Sequence, residues 1–375
     1  MRIVVTGGGT GGHIFPAIAV CEELKRLDPD GEVLYIGGVN GMESTLVPQA
    51  GIPYRAVNAR KFPSRPSLGT LLGVGSLIRG YMDARKILSD FHPDAIVGTG
   101  GYVAAATVLC GCNQKRPAII LENNRIPGRT NLKLASRVRK IGVSFEETIA
   151  LFDRSKCVVT GMPIRTSIVA PGSLTRQDAR ERFVPSTPNT LAVLIIGGSQ
   201  GARAINKIVI EALPEMLARG FLVLHQTGQR NYDEVVEAAN QRFEDALVTQ
   251  EHRNSYVAMP FINAEDMPIA YRAADAIVCR GGISTLSEAA ANGLPAIVVP
   301  LPTAYADHQT ANARALEQVG AALCRPESDV TTSNLMDDLV RICSEGDVRT
   351  IMTGASLRWG KPEAATTVAR IALEM

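Results

Sequence analysis

Twice the chain runs an apolar strand straight into a glycine turn and then into a helix, and few folds accept that pattern. The first pass is "RIVVTGGGTGGHIFPAIAVCEELKRL" (2–27) and the second is "TLAVLIIGGSQGARAINKIVIEALPEML" (190–217). Strands buried on both faces read as unbroken apolar runs and belong to parallel sheets, whose neighbours must be joined by crossover helices. Further runs follow each pass: "EVLYI" (32–36), "DAIVG" (94–98), "AIILE" (118–122) and "VVT" (158–160), then "FLVLHQ", "YVAMPF", "DAIVCR" and "AIVVP". Helical spacing fills the gaps, with "PAIAVCEELKRL" (16–27) expected as a crossover helix opening at Pro16. The fold class is therefore α/β, with two doubly wound, Rossmann-like parallel-sheet domains and a cleft between them lined by the carboxyl ends of strands. A chain of 375 residues also exceeds what one core usually serves. "GMPIRTSIVAPGSLTR" (161–176), rich in turn formers, is the expected hinge.

Charge excludes some partners. Lys+Arg 39 against Asp+Glu 37 gives a net charge of +2, so no nucleic-acid partner is called for. The start "MRIVVTGGG" reads as a strand, not a signal peptide, and no apolar run approaches the ~20 residues of a spanning helix. The seven cysteines form no CxxC pair and read as core residues of a reducing cytoplasm. No cluster has metal-ligand spacing, and no metal or cofactor is expected.

A glycine loop entering a helix offers backbone N–H groups and a positive helix end to an anion. The Gly7-x-Gly9-x-x-Gly12 spacing suggests a dinucleotide, which also needs an acid at the end of the second strand to hold the ribose. That strand ends in "YIGGVNG" (35–41), and the nearby acid, Glu32, stands at its wrong end. His13 follows Gly12 directly, where it either caps the helix or serves as a base. The second loop, "IIGGSQGARAIN" (195–206), places Ser199 and Gln200 between its glycines as added donors. In "VCRGGISTLSEAAANGLPAIVVP" (278–300), Glu288 either complements a helix dipole or takes two ribose hydroxyls.

"TGGGTGGHIFPAIAV", "GTGGYVAAATV" (98–108), "LENNRIPGRTN" (121–131), "VTGMPIR" (159–165), "IIGGSQGA" (195–202), "GGISTLSEAAANGLPAIVVP" and "DHQTANA" (307–313) together resemble the ordered motifs of the MurG family, the bacterial UDP-N-acetylglucosamine:lipid I N-acetylglucosaminyltransferases. The resemblance runs over essentially the whole chain. It implies a GT-B fold, with an acceptor- and membrane-facing domain at 1–164, a UDP-GlcNAc domain at 165–345 and a helical segment at 346–375 packing back on the first. By position it assigns donor contacts to Thr10, Gly11, Gly12, Asn124, Arg165, Ser199, Ile262, Ile283, Ser284, Thr285, Leu286, Ser287, Glu288 and Gln309. Glu288 would take the ribose, the backbone at Ile262 the uracil edge, Ser199 and Arg165 the pyrophosphate, and Gln309 the donor sugar. The chain departs from the family pattern at His308, Asn123, Leu121 and Met162.

The implied reaction inverts the anomeric carbon of UDP-N-acetylglucosamine in one displacement by the 4-hydroxyl of the muramyl residue of lipid I. It needs a base, stabilisation of the departing UDP and exclusion of water. His13 is the first candidate base and Glu122 the alternate; Glu122 otherwise tethers the loop of Asn124. The lipid acceptor implies a peripheral site on the cytoplasmic face of an anionic membrane, with other cell-wall synthesis proteins as candidate partners. "ARKFPSRPSLGTLLGVGSLIRGYMDARK" (59–86), with Leu68, Leu71, Leu72, Val74, Leu77 and Ile78 beside Arg60, Lys61, Arg65 and Arg79, is either that membrane surface or a core helix with basic neighbours. A UDP-sugar epimerase, a glycolipid glycosyltransferase or a non-enzymatic nucleotide-sugar sensor are the competing readings.

Overall fold

The computed structural model describes residues 1–58, 68–169, 173–185, 191–198 and 201–375, with backbone only over 68–77. The chain forms two compact units, Met1–Thr166 with Pro362–Met375, and Ser167–Lys361.

The first unit carries β1 (Arg2–Gly7), β2 (Glu32–Gly38), β3 (Tyr54–Val57), β4 (Ala95–Gly100), β5 (Ala118–Glu122), β6 (Lys140–Val143) and β7 (Cys157–Val159). They form one sheet in the order β3-β2-β1-β4-β5-β6-β7, every pairing parallel. Its helices are α1 (Gly11–Leu27), α2 (Glu43–Gln49), α3 (Leu68–Phe91), α4 (Gly101–Asn113) and α5 (Arg129–Leu134). Apolar residues on the two sheet faces build two cores. One, around Ile3, Val5, Val97 and Leu121, packs on α1; the other, around Val4, Ile96 and Ile120, packs on α3 and α4.

In the second unit, α6 (Arg176–Glu181) precedes β8 (Leu191–Ile196), followed by α7 (Arg203–Ala218), β9 (Phe221–Gln226), α8 (Tyr232–Asp245), α9 (Gln250–Arg253), β10 (Tyr256–Met259), α10 (Asp266–Ala273) and β11 (Ala276–Cys279). The unit ends with α11 (Ile283–Ala291), β12 (Ala296–Val298), α12 (His308–Gln318), β13 (Ala322–Cys324), α13 (Thr332–Ser344) and α14 (Gly346–Trp359). The sheet order is β10-β9-β8-β11-β12-β13, again all parallel. The final helix, α15 (Ala364–Leu373), returns to the first unit, where Val368, Ala369 and Ala372 join the core around α1.

Three details differ from the sequence reading. The helix expected from Pro16 begins at Gly11, capped by Thr10, and Pro16 lies inside it. Strands β3, β6 and β13 went unread because each is three or four residues long and "YRAV" and "KIGV" carry charged residues. The segment 346–375 is not one piece. Met352 of α14 belongs to the core of the second unit and Ser356 Oγ donates to the Leu294 carbonyl, so only α15 packs on the first.

Candidate functional site

In each sheet the strand order reverses at one place, between β1 and β4 and between β8 and β11. The loops leaving the carboxyl ends of such strands diverge to opposite faces and open a crevice, the usual ligand position of doubly wound sheets. The glycine motifs stand at these four strand ends: Gly7–Gly12, Gly98–Gly101, Gly197 and Gly198 with Gly201, and Gly281–Gly282.

His13 stands in the first turn of α1, and its Nδ1 lies 3.0 Å from the carbonyl of Thr99, while Thr99 Oγ1 donates to the His13 carbonyl at 2.6 Å. A carbonyl oxygen only accepts, so the neutral ring carries its proton on Nδ1 and its lone pair on Nε2. Gly100 explains how the ring fits. Its φ is +113°, and a Cβ there would lie 2.6 Å from His13 Nδ1. Gly101, with φ +84°, passes so close to Gly8 that a Cβ would meet the Gly8 carbonyl at 2.3 Å. "GTGG" is thus the seat of the histidine, a role the sequence motif alone did not disclose. Thr10 caps α1 through its extended backbone with no side-chain bond, and Gly11 and Gly12 form the first helical residues.

The acid nearest the first loop is not Glu32. Glu43, at the start of α2, is fully buried and accepts from Gly9 N at 3.3 Å and Gly38 N at 3.0 Å. It lies beneath the loop rather than toward a ribose, and the missing dinucleotide acid stays missing.

Glu122 is 2% exposed, and both its oxygens are engaged: Asn124 N at 3.1 Å, Gly128 N at 2.9 Å and Asn131 Nδ2 at 2.8 Å all donate to it. Burial raises its pKa above the usual carboxylate range against the opposing effect of these donors. This geometry is that of a tether for the loop 123–128, the second of the two roles read from sequence. Asn131, which completes the tether, was not singled out. Arg165 lies over the Phe15 ring, 5.8 Å from its centroid, and a Cβ on Gly11 would be 3.1 Å from that same ring, so Arg165 is held near the start of α1.

In the second unit, Ser199 and Gln200 lie outside the described residues. Gly201 has φ +75°, and a Cβ there would be 2.2 Å from the Thr227 carbonyl. Gln226 Oε1 accepts the Ile262 amide at 2.9 Å, so what buried Ile262 offers a base is its carbonyl. Of the stretch Ile283 to Glu288, the side chains of Ile283, Leu286 and Ser287 are buried, and Ser284, Thr285 and Glu288 are half-buried on the accessible side of α11. Tyr271, 2% exposed, donates its hydroxyl to Glu288 Oε2 at 2.9 Å. The N-termini of α11 and α12 meet at Gly281, where a Cβ would lie 2.4 Å from the Gln309 carbonyl, and Gln309 Oε1 accepts from Leu301 N at 3.0 Å. Ala306 and Asp307 just before α12 both have φ near +50°, a strained pair at the edge of the crevice.

Residues 3–143 match the glycosyltransferase family 28 N-terminal domain and residues 192–368 the glycosyltransferase family 28 C-terminal domain. The chain is 36% identical over 365 residues to the UDP-N-acetylglucosamine--N-acetylmuramyl-(pentapeptide) pyrophosphoryl-undecaprenol N-acetylglucosamine transferase 1 of Bacillus cereus, covering 97% of this chain and 96% of the relative. The transferase of the same type from Halalkalibacterium halodurans is 37% identical over 365 residues, covering 97% of each. Among solved structures, Acinetobacter baumannii MurG aligns with TM-score 0.77 and 29% identity over 100% of this chain and 99% of its own. A UDP-N-acetylglucosamine 2-epimerase aligns with TM-score 0.64 at 13% identity over 98% of this chain and 94% of its own, a likeness of fold alone.

Proposed function

Because the chain belongs to the glycosyltransferase family 28 enzymes of the MurG type, we propose a residue-level account of the reaction that this membership entails. The protein is a UDP-GlcNAc-dependent N-acetylglucosaminyltransferase that moves GlcNAc to lipid I, forming lipid II.

His13 is the base. Its contact with the Thr99 carbonyl carries this assignment, since it sets the tautomer that a proton acceptor at Nε2 requires. As the muramyl 4-hydroxyl attacks the anomeric carbon, its proton passes to Nε2, the C–O bond to UDP breaks with its electron pair leaving on the diphosphate, and the configuration inverts. Arg165, Ser199 and the helix N-terminus at Ile283 balance the growing charge on the diphosphate. Glu288 accepts both ribose hydroxyls, the Ile262 carbonyl accepts from the uracil N3–H, and Gln309, its Oε1 already held, donates from Nε2 to the sugar. Asn124 is presented to the donor by the loop that Glu122 tethers. Because acceptor lipid lies in a membrane, the protein works at an anionic cytoplasmic surface; among the described residues no helix is long and apolar enough to cross one.

Labelled sugar should pass from UDP-GlcNAc, and far less from UDP-glucose, to a lipid I analogue, with a β linkage by NMR. His13→Ala should lower kcat by ~10²–10⁴ while the donor KM stays put, the usual worth of a positioned acid–base group. A variant with parental kcat would remove His13 from the reaction.

A further inference from the structure

The first glycine loop is folded around an internal anion. Glu43 has no exposed surface and its carboxylate receives two backbone amides, Gly9 and Gly38. Glycines wall it in. A Cβ on Gly8 would fall 2.3 Å from Glu43 Oε1, one on Gly41 2.2 Å from the carboxylate, and one on Gly37 2.8 Å from its Cγ. The Tyr54 hydroxyl donates to the Gly38 carbonyl at 2.6 Å, closing the cage from β3, and a Cβ on Gly9 would lie 3.0 Å from the Tyr102 ring.

A buried carboxylate is costly to hold, and losing its hydrogen-bond partners costs more. The position of Gly9 is therefore bound to that of Glu43, and with it the entry to α1 and His13. The same charge changes what the loop can bind. Gly9 N–H, which a phosphate-binding loop would aim outward, is turned inward and spent, and a fixed negative charge lies directly behind the loop.

We propose that Glu43 is a positioning residue for the known transfer, and that the loop it holds faces the uncharged, hydroxyl-bearing sugar of the acceptor rather than a phosphate. This rests on the reading of His13 as the base acting on that hydroxyl.

Two measurements test it. In the intact protein the amide resonances of Gly9, Gly11 and Gly12 are followed while inorganic pyrophosphate, and separately an N-acetylmuramyl glycoside, is titrated. The glycoside should move them and pyrophosphate at millimolar concentration should not; the reverse, or silence toward both, overturns the proposal. In the transfer assay, Glu43→Gln puts an amide donor against a backbone N–H and should cut kcat by about thirtyfold or more with the donor KM within about twofold, as expected of a misplaced reacting group. Glu43→Asp, which keeps the charge on a shorter arm, should recover part of the loss. Parental kcat in Glu43→Gln, or an acceptor KM that falls once the charge is gone, also overturns it. Were the transferase reading itself wrong, the parent would show no transfer, an outcome distinct from all of these.

Discussion

At the scale of single residues, the proposed donor contacts turn on Glu288, whose Oε2 accepts from the Tyr271 hydroxyl. That bond restrains the rotation of the carboxylate, which on the proposed reading sets its orientation before a ribose arrives. Charge-assisted hydrogen bonds contribute ~1.5–3 kcal/mol each, so Glu288→Ala, losing two, should weaken UDP by ~10²–10⁴-fold in titration calorimetry. Tyr271→Phe should weaken UDP by about threefold to tenfold and 2′-deoxy-UDP less, because a carboxylate free to turn discriminates the missing hydroxyl less well. Equal losses for both nucleotides would reduce Tyr271 to a packing residue. The two glutamates also show where sequence reading stops. His13, Glu122 and Glu288 stand beside glycine or strand signals that mark a loop at the end of a strand. Glu43, Tyr271, Gln226 and Asn131 do their work through partners brought close only by the sheet, such as Gly9 thirty-four residues from Glu43, and no local pattern announces that.

At the scale of elements, most strands were legible because burial makes them continuous apolar runs, while β3, β6 and β13 were not, being three or four residues long and, in β3 and β6, carrying a charged residue. β3 and β13 end their sheets, and β3, open on one side, admits Tyr54 and Arg55. Polar residues inside a strand are also invisible to hydropathy. His225 on β9 is fully buried, with Nδ1 3.0 Å from the Tyr256 hydroxyl of β10 and Nε2 3.1 Å from Asn206 Oδ1 of α7. Asn206 Nδ2 donates to the Thr227 carbonyl, against which the Gly201 turn packs, so this chain of hydrogen bonds seats the second glycine loop. Since Oδ1 accepts, the neutral histidine donates from Nε2 and accepts from the tyrosine on Nδ1, and a second proton would put an unpaired charge in the core. Burial pushes its pKa down to about 3. The unfolded chain, with an ordinary value of about 6.5, binds that proton while the native state refuses it, so the stabilisation is complete above pH 6.5 and is lost as pH falls toward 3. Between pH 7 and pH 5 the opening free energy of the β9 amides, from hydrogen exchange corrected for intrinsic rate, should fall by about 2 kcal/mol. His225→Gln, whose amide can serve both neighbours, should flatten that slope. A parent without the slope would mean that the imidazole is reached by solvent.

At the scale of the whole molecule, the proposed work at a membrane surface calls for a basic and apolar face, and the first unit carries one. Arg60, Lys61 and Arg65 of the basic, apolar stretch lie outside the described residues. Along α3, Ala84 and Leu88 are buried against the sheet while Ile78 and Met82, one turn apart, are 57% and 63% exposed, with Arg79, Arg85 and Lys86 beside them. So α3 is in part a core helix and in part an outward apolar face. Hydrogen bonds carry that face onward: Asn113 Nδ2 donates to the Tyr81 hydroxyl at 2.9 Å, and Arg137 donates to Asn113 Oδ1 at 3.2 Å. Beyond lies a cleft of about 390 Å³ lined by Lys115, Arg116, Arg137, Arg139 and Lys156, with the C-terminal residue Met375 also in its wall, its carbonyl accepting from Arg139 at 2.9 Å. Each cation near an anionic leaflet contributes about 1 kcal/mol, and the two exposed apolar side chains add area that inserts among the headgroups. The protein should therefore sediment with vesicles containing phosphatidylglycerol, not with purely zwitterionic ones, and should be released as salt shortens the Debye length. Replacing Arg79, Lys115, Arg116 and Arg137 by Ser should weaken binding by on the order of a hundredfold or more. Replacing Ile78 and Met82 by Ser should leave a weaker binding that salt abolishes completely, because only its electrostatic part survives. Transfer to a short-chain, water-soluble acceptor should be untouched in both variants, since none of these residues is assigned to the reaction. Sedimentation that ignores all six substitutions would move the membrane contact off this face, and loss of transfer to the soluble acceptor would show that the face supports the fold rather than the membrane.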